Sequence, residues 1–502
     1  MKKNQVVPPP GNPEGREVAR RLRRVRGTCV TLFVFSICFA ETGAIAQQFG
    51  RERGQGGSGG QDTALLSLDP GPRAGFIATG NSTYPNNPGD PISGLTADQL
   101  SFFANGLSQF TEVEGVALSS PGNGGLGPTY NNDSCGGCHS QPSTGGTSPN
   151  MNAFPNVGQN PQFTAGQVAG GTNSIPFFVT ADGPIREARF KSDSGVHDLF
   201  TIQGRTDTPS TNSCTLQQPD FAAEAARGNL SFRIPTPVYG AGLIENISED
   251  TLLANLAAST NFQLGIAGVF NRSGNDGSIT RFGWKGQNKS LIVFAGEAYN
   301  VEMGVTNEMF PTERGYPPTP LPGGCLVNPT PEDRTIFEAT TPVGVSSDID
   351  SFAEFMRFLD QPIPACTGTG CSAQIQSGRA LFASVGCANC HTPSMTTGIS
   401  DTTPGLSQVV ANLFSDLALH HMGIGLADGI TQGMAGPDQF RTAPLWGVGQ
   451  RVFFMHDGRT SNLVQAIFEH AGPGSEANRV IQNYEQLSTQ NKQSIILFLR
   501  SL

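Results

Sequence analysis

The chain has 502 residues and a formal charge of −10, with 63 glycines, 36 prolines and only 14% charged side chains. Glycine follows no three-residue period, which excludes a collagen-like chain, and no apolar run reaches the roughly 20 residues of a bilayer span, which excludes a polytopic membrane protein. The acidic balance, with basic residues crowded at the extreme N-terminus, argues against nucleic acid as a partner.

That crowding belongs to the first predicted element. Arg20, Arg21, Arg23, Arg24 and Arg26 precede an apolar run at 28–40 and a small-residue site, Ala44-Ile45-Ala46. A basic head, a short apolar middle and an A-x-A end predict a secretory signal peptide over residues 1–46. The run is too short to stay behind as a membrane anchor. The protein is expected to be periplasmic or secreted, with no membrane span after signal cleavage. Residues 47–85, rich in Gly, Gln, Arg and Asp, read as a flexible lead-in.

A helical pattern at 95–117 leads to Cys135-Gly136-Gly137-Cys138-His139, and a second at 375–385 leads to Cys387-Ala388-Asn389-Cys390-His391. C-x-x-C-H is the c-type haem attachment motif. Two thiols three positions apart reach the two vinyl groups of one porphyrin, and the adjacent histidine turns under the ring to bind iron. A zinc site would want four ligands in closed spacing, and a redox CxxC pair does not need the histidine. Two copies behind an export signal point instead to two covalently bound haem c groups.

Cys29 and Cys38 leave with the signal. Cys214, Cys325, Cys366 and Cys371 remain outside the motifs. In an oxidising compartment these four allow three pairings, with structural disulfides favoured over redox-active thiols. Cys366 and Cys371 flank Thr367-Gly368-Thr369-Gly370, a short loop able to close locally.

Residues 140–185, rich in Gly, Asn, Pro and Thr, read as loops. Within 236–258 a turn precedes a helix opened by Ser248-Glu249-Asp250. A further helix fits 290–298, and the proline-rich stretches 311–322 and 327–331 look like a linker. Helices follow at 348–359, 463–470 and 488–502. No strand alternation is long enough for a large sheet. The expected fold is mainly α: two c-type cytochrome haem domains with long loop-rich insertions. The N-terminal haem domain is placed at 86–340, with an insertion at about 140–235, and the C-terminal one at 341–502. Only seven histidines exist. Beyond His139 and His391, a second nitrogen ligand must come from His197, His420, His421, His456 or His470.

Four stretches carry a resemblance. They are CGGCH at 135–139, FGWKGQNKSL running to VEMG at 282–304, CANCH at 387–391, and RTAPLWGV followed by FMHDGRTSNLVQAIFEHAG at 441–472. In these the chain resembles the bacterial di-haem cytochrome c peroxidase/MauG superfamily, and more closely its di-haem oxidoreductase branch of peroxidases and thiol oxidoreductases. The resemblance implies that His470 takes the place of the distal ligand on the C-terminal haem, giving a bis-histidine electron-transfer centre. It implies that Glu302 is the acid/base of the peroxidatic haem pocket and that Trp284 bridges the two centres. His456 matches a structural or propionate-side residue, and Trp446 reads as core. The peroxidases' calcium asparagine reads here as Ile234, and positions of its carbonyl donors read Arg451 and Phe453, so that metal is not expected. No histidine matches the one that closes the resting peroxidatic haem in some peroxidases, and His197 is the sole candidate in an unmatched setting. The N-terminal haem is therefore expected to be open at rest, as in MauG. The function so implied is reduction of hydrogen peroxide at the N-terminal haem, with electrons passed through the C-terminal haem from a small redox partner protein. Two other readings stay open: MauG-like oxidation of a protein side chain or thiol, and a non-catalytic di-haem electron-transfer cytochrome.

Overall fold

Thr96 opens the first long helix of the computed structural model, which describes residues 63–72, 89–118, 124–148, 160–209, 213–315 and 321–502. The expected signal peptide at 1–46 lies outside them. The Thr96 hydroxyl accepts from the Gln99 N–H, and the Gln99 side chain accepts from the Thr96 N–H at 2.9 Å, so two otherwise orphaned donors are satisfied. The helix it starts, α1 (Ala97–Thr111), buries Phe103, Gly106 and Phe110 along one face. Seven more helices of at least seven residues follow among the described residues: α2 (Glu249–Ser259), α3 (Leu291–Met303), α4 (Asp348–Phe358), α5 (Ala373–Val385), α6 (Leu463–Glu469), α7 (Asn478–Glu485) and α8 (Thr489–Ser501). Ser248, Ser290, Ser347, Ser372, Asn462 and Ser488 cap six of them through their side chains.

Sheet is scarce. One antiparallel sheet has three strands in the order β2-β1-β3, with β1 at Glu187–Phe190, β2 at Val196–His197 and β3 at Leu230–Arg233. The others have two strands each. The architecture is mainly α, as expected. No helix among the described residues is long and apolar enough to cross a membrane.

The same packing device occurs twice. A Cβ on Gly106 would lie 2.2 Å from the Ser351 carbonyl oxygen, so glycine lets α1 press against the backbone of α4. One turn later Phe110 meets Phe355 of α4 at 4.9 Å. In the C-terminal half a Cβ on Gly378 would lie 1.9 Å from the Ser494 carbonyl oxygen, and Phe382 meets Phe498 at 5.5 Å. Both pairs therefore set Gly-x-x-x-Phe against Ser-x-x-x-Phe. Each phenylalanine then touches the histidine of its own motif, Phe110 with His139 at 5.8 Å and Phe382 with His391 at 6.3 Å.

This duplication moves the expected domain boundary. Helix α4 is the counterpart of α8 and completes the N-terminal half, so a division at 340/341 cuts that half's own core. The lead-in also differs from expectation at 63–72. Leu65, Leu66 and Leu68 pack on the C-terminal core, and Asp69 pairs with Arg500 at 2.7 Å, both side chains about 2% exposed. Nor is the proline-rich stretch a free linker. Within it Asn328 donates to the Val116 carbonyl at 2.7 Å and the Thr312 carbonyl accepts from Asn300 at 3.3 Å, and beside it Cys325 is buried in a disulfide with Cys214, while Asp333 accepts from the first two N–H groups of α4. The second disulfide, Cys366–Cys371, closes the short loop locally. Trp446 is core, as read.

Two cavities that share a tryptophan

The two CxxCH motifs line two different cavities. Cys135, Cys138 and His139 border the first, together with Phe110, Asn131, Glu187, Trp284 and Glu302. Cys387, Cys390 and His391 border the second, together with Trp284, Arg451, His456 and His470. None of the four motif cysteines is in a disulfide.

The motif histidines are held alike. His139 Nδ1 donates to the Gly146 carbonyl and His391 Nδ1 to the Phe414 carbonyl, both at 2.9 Å. Such bonds fix the tautomer and leave Nε2 as the lone-pair nitrogen for a metal. Burial pushes both imidazoles down to about 4, so they are neutral at pH 7. His470, at the end of α6, is held in the same way by the Ala466 carbonyl at 2.7 Å. Its ring centroid lies 6.5 Å from that of His391, a gap that fits one metal ion with a nitrogen on either side at about 2 Å.

The first cavity is built differently. Its only described histidine is His139, and its carboxylates are Glu187, Glu297 and Glu302. His197 is not there. It lies in β2, stacked on Phe190 at 3.6 Å and paired with Asp193 at 2.9 Å. Glu302, near the end of α3, accepts from Asn131 Nδ2 at 3.1 Å and is hydrogen-bonded to the Glu187 carboxyl. Burial first, and the adjacent Glu187 second, push the Glu302 carboxyl far above the ordinary range. Burial works against the Glu187 anion as well, but the Arg189 and Arg233 guanidiniums outweigh it and hold Glu187 low. Of the two carboxyls, Glu302 is therefore the one whose surroundings favour the protonated form and Glu187 the one whose surroundings favour the anion. The sequence reading missed Glu187. Its only signal was Glu187 and Arg189 at alternate positions of a strand, where both charges share a face.

Trp284 borders both cavities. Its indole Nε1 donates to the Ile234 carbonyl at 2.8 Å, and the Ile234 N–H donates to the His456 carbonyl at 2.7 Å. The Trp284 and His456 rings meet edge-on at 6.3 Å, while His456 stacks on Phe440 at 4.3 Å. His420, also in the second cavity's wall, is clamped between Asp416 at 2.9 Å and Glu476 at 2.8 Å. The residues fit a haem in each cavity: paired thiols outside any disulfide, a neutral imidazole beside them, and in the second cavity another imidazole at ligation distance.

A family model described as "Di-haem oxidoreductase, putative peroxidase" matches residues 199–502, which takes in Trp284, Glu302, the second motif and His470 but not the first motif. No curated protein matches the chain by sequence. Among solved structures, hydrazine synthase from Kuenenia stuttgartiensis is 14% identical over 86% of this chain and 99% of that one, at a TM-score of 0.34. The di-haem peroxidase BthA from Burkholderia thailandensis is 17% identical over 32% of this chain and 51% of that one, at 0.22. A MauG-like protein associated with microbial copper homeostasis is 14% identical over 52% of this chain and 91% of that one, at 0.27. Overlaps this loose say nothing about mechanism. The family match, over more than half of the chain, does place it: this protein belongs to the di-haem oxidoreductase family.

Proposed function

We propose that the protein is an exported di-haem c-type cytochrome oxidoreductase that reduces hydrogen peroxide in its N-terminal cavity. Cys135, Cys138 and His139 hold one haem c there, and Cys387, Cys390, His391 and His470 hold the other. One observation carries the reading. The C-terminal cavity sets a second imidazole 6.5 Å from its motif histidine, while the N-terminal cavity offers a carboxyl pair instead.

When bound, the haem supplies an iron site for the oxidant and the electrons that reduce it. The protons are the chain's business. Glu187 is the anion of the pair and Glu302 its acid, so together they take a proton from the inner peroxide oxygen and return one to the outer, which makes water the leaving group. Asn131 orients Glu302 by donating to its Oε2. Arg189 and Arg233 keep the acceptor side ionised. Trp284, packed between the cavities, is the bridge for electrons arriving from the C-terminal side. Their source is a small redox protein, for which the net charge of −10 favours a basic partner. The pattern of residues 1–46 supports export.

The test is kinetic. Glu302→Gln should leave both haems attached and slow the reaction with hydrogen peroxide by about a hundredfold, the scale of general acid–base catalysis. An unchanged rate removes Glu302 from the reaction. A ferric wild-type spectrum that is wholly low-spin, together with no peroxide turnover, reduces the protein to an electron carrier.

A further inference from the structure

Buried arginines in this protein come with partners. Arg233 pairs with Asp428, Arg500 with Asp69, Arg205 with Asp207 and Arg189 with Glu187. Arg281 and Arg441, equally buried, donate to backbone carbonyls, Arg281 to that of Ile247 at 2.6 Å and Arg441 to that of Gly283 at 2.9 Å. Arg451 is the exception. It is 6% exposed, and neither its Nε nor its Nη2 finds a hydrogen-bond partner among the described residues. Burial alone pushes its guanidinium down to about 10, with no neighbouring anion acting the other way.

An uncompensated buried cation is strongly unfavourable, and the remedy is an anion brought to it. Arg451 lines the C-terminal cavity, so that anion belongs in the cavity. Among the described residues the protein supplies none. Glu476, the carboxylate in the same wall, is already taken by His420 and by the N–H groups of Ala267 and Gly268. The backbone that carries the side chain is fixed beside the cavity. The 3-10 turn Val448–Gln450 places it. The Arg451 carbonyl accepts from Arg500 Nη1 at 3.0 Å, and the Gln450 carbonyl accepts from Gln141 Nε2 at 2.8 Å. Arg500 is itself locked by Asp69, and Gln141 lies two residues beyond His139.

We propose that Arg451 receives a propionate carboxylate of the C-terminal haem, and that its fixed positive charge raises the reduction potential of that haem. A guanidinium donates two parallel N–H groups in the geometry a carboxylate accepts, which a lysine cannot reproduce. A cation beside the iron favours the ferrous state, which carries one positive charge fewer. The proposal rests on a haem in the C-terminal cavity and not on peroxide chemistry in the other, so the two readings fail separately.

The experiment uses the intact holoprotein in spectroelectrochemical titrations. In Arg451→Gln the reduced-to-oxidised ratio of the low-spin haem at fixed applied potential should fall about tenfold, which is about 59 mV for a one-electron couple. Arg451→Lys should recover most of that loss, because the charge returns without the fork. Should the glutamine variant fail to accumulate, the wild type decides: propionate bending bands in its resonance Raman spectrum should shift in D2O, since the hydrogens on Arg451 exchange. A midpoint unchanged in Arg451→Gln, or propionate bands indifferent to D2O, overturns the assignment.

Discussion

His391 and His470 face one another with ring centroids 6.5 Å apart, each pinned through Nδ1 to a backbone carbonyl, Phe414 and Ala466 respectively. With both Nδ1 atoms committed to carbonyls, the two Nε2 atoms are left free to bind a metal between the rings. Replacing His470 with alanine should therefore convert the C-terminal haem from low-spin to high-spin, with the N-terminal haem signal unchanged. Electron paramagnetic resonance of the ferric protein reads both at once. A change confined to the N-terminal haem would reverse the assignment of the two centres.

Trp284 joins the cavities by packing and by one hydrogen bond, from Nε1 to the Ile234 carbonyl. Trp284→Phe keeps an aromatic ring but loses that anchor. Reduction of the N-terminal haem after rapid mixing with a reduced donor should slow, while reduction of the C-terminal haem keeps its wild-type rate. Equal slowing at both haems would mean that the tryptophan serves the donor's docking and not the passage between the cavities.

Much of this centre was legible because its signals are local. A CxxCH motif is contained in five residues, and the resemblance that implied His470 rests on one continuous stretch around the HDG turn at 456–458. The Glu187–Glu302 pair was not, since it joins a strand in the loop-rich insertion to the end of α3 and exists only after folding. The same holds for α4. Its helical pattern was plain, but its allegiance to the N-terminal half depends on Gly106 meeting Ser351, and a proline-rich stretch just before it suggested a boundary. Residues 63–72 misled through composition: glycine-rich surroundings hid three leucines and an aspartate that close over the C-terminal core.

The Tyr299 hydroxyl lies 3.0 Å from Glu114 Oε1 and 3.3 Å from Asp348 Oδ2. Burial raises these carboxyls, Glu114 to about 8, Asp348 to about 6 and nearby Asp333 to about 7. All three exceed ordinary carboxylate values, so the folded state keeps protons that the unfolded chain releases. Their contribution is complete below the unfolded values near pH 4 and is lost as pH rises through about 6 to 8. The melting temperature should fall across that window, and Glu114→Gln should flatten the slope. Thermal melts at a series of pH values settle it; parallel slopes for the two proteins would contradict the assignment.

Gly106 and Gly378 each leave no room for a methyl group against the facing helix. Either alanine variant should lose about 1–3 kcal/mol of stability, the range for an overpacked core. Denaturant titration followed at the haem bands checks this. Gly106→Ala should loosen the surroundings of His139 first, and Gly378→Ala those of His391.

The doubled glycine notch also bears on how such a molecule diversifies. The proximal side of both centres is one chassis used twice, down to the phenylalanine resting on each motif histidine. What distinguishes the two cavities sits elsewhere, in the far walls, where one half presents His470 and the other presents Glu187 and Glu302. A lineage built on this plan can rewrite either wall without reopening the helix pairs that pack behind the two motif histidines.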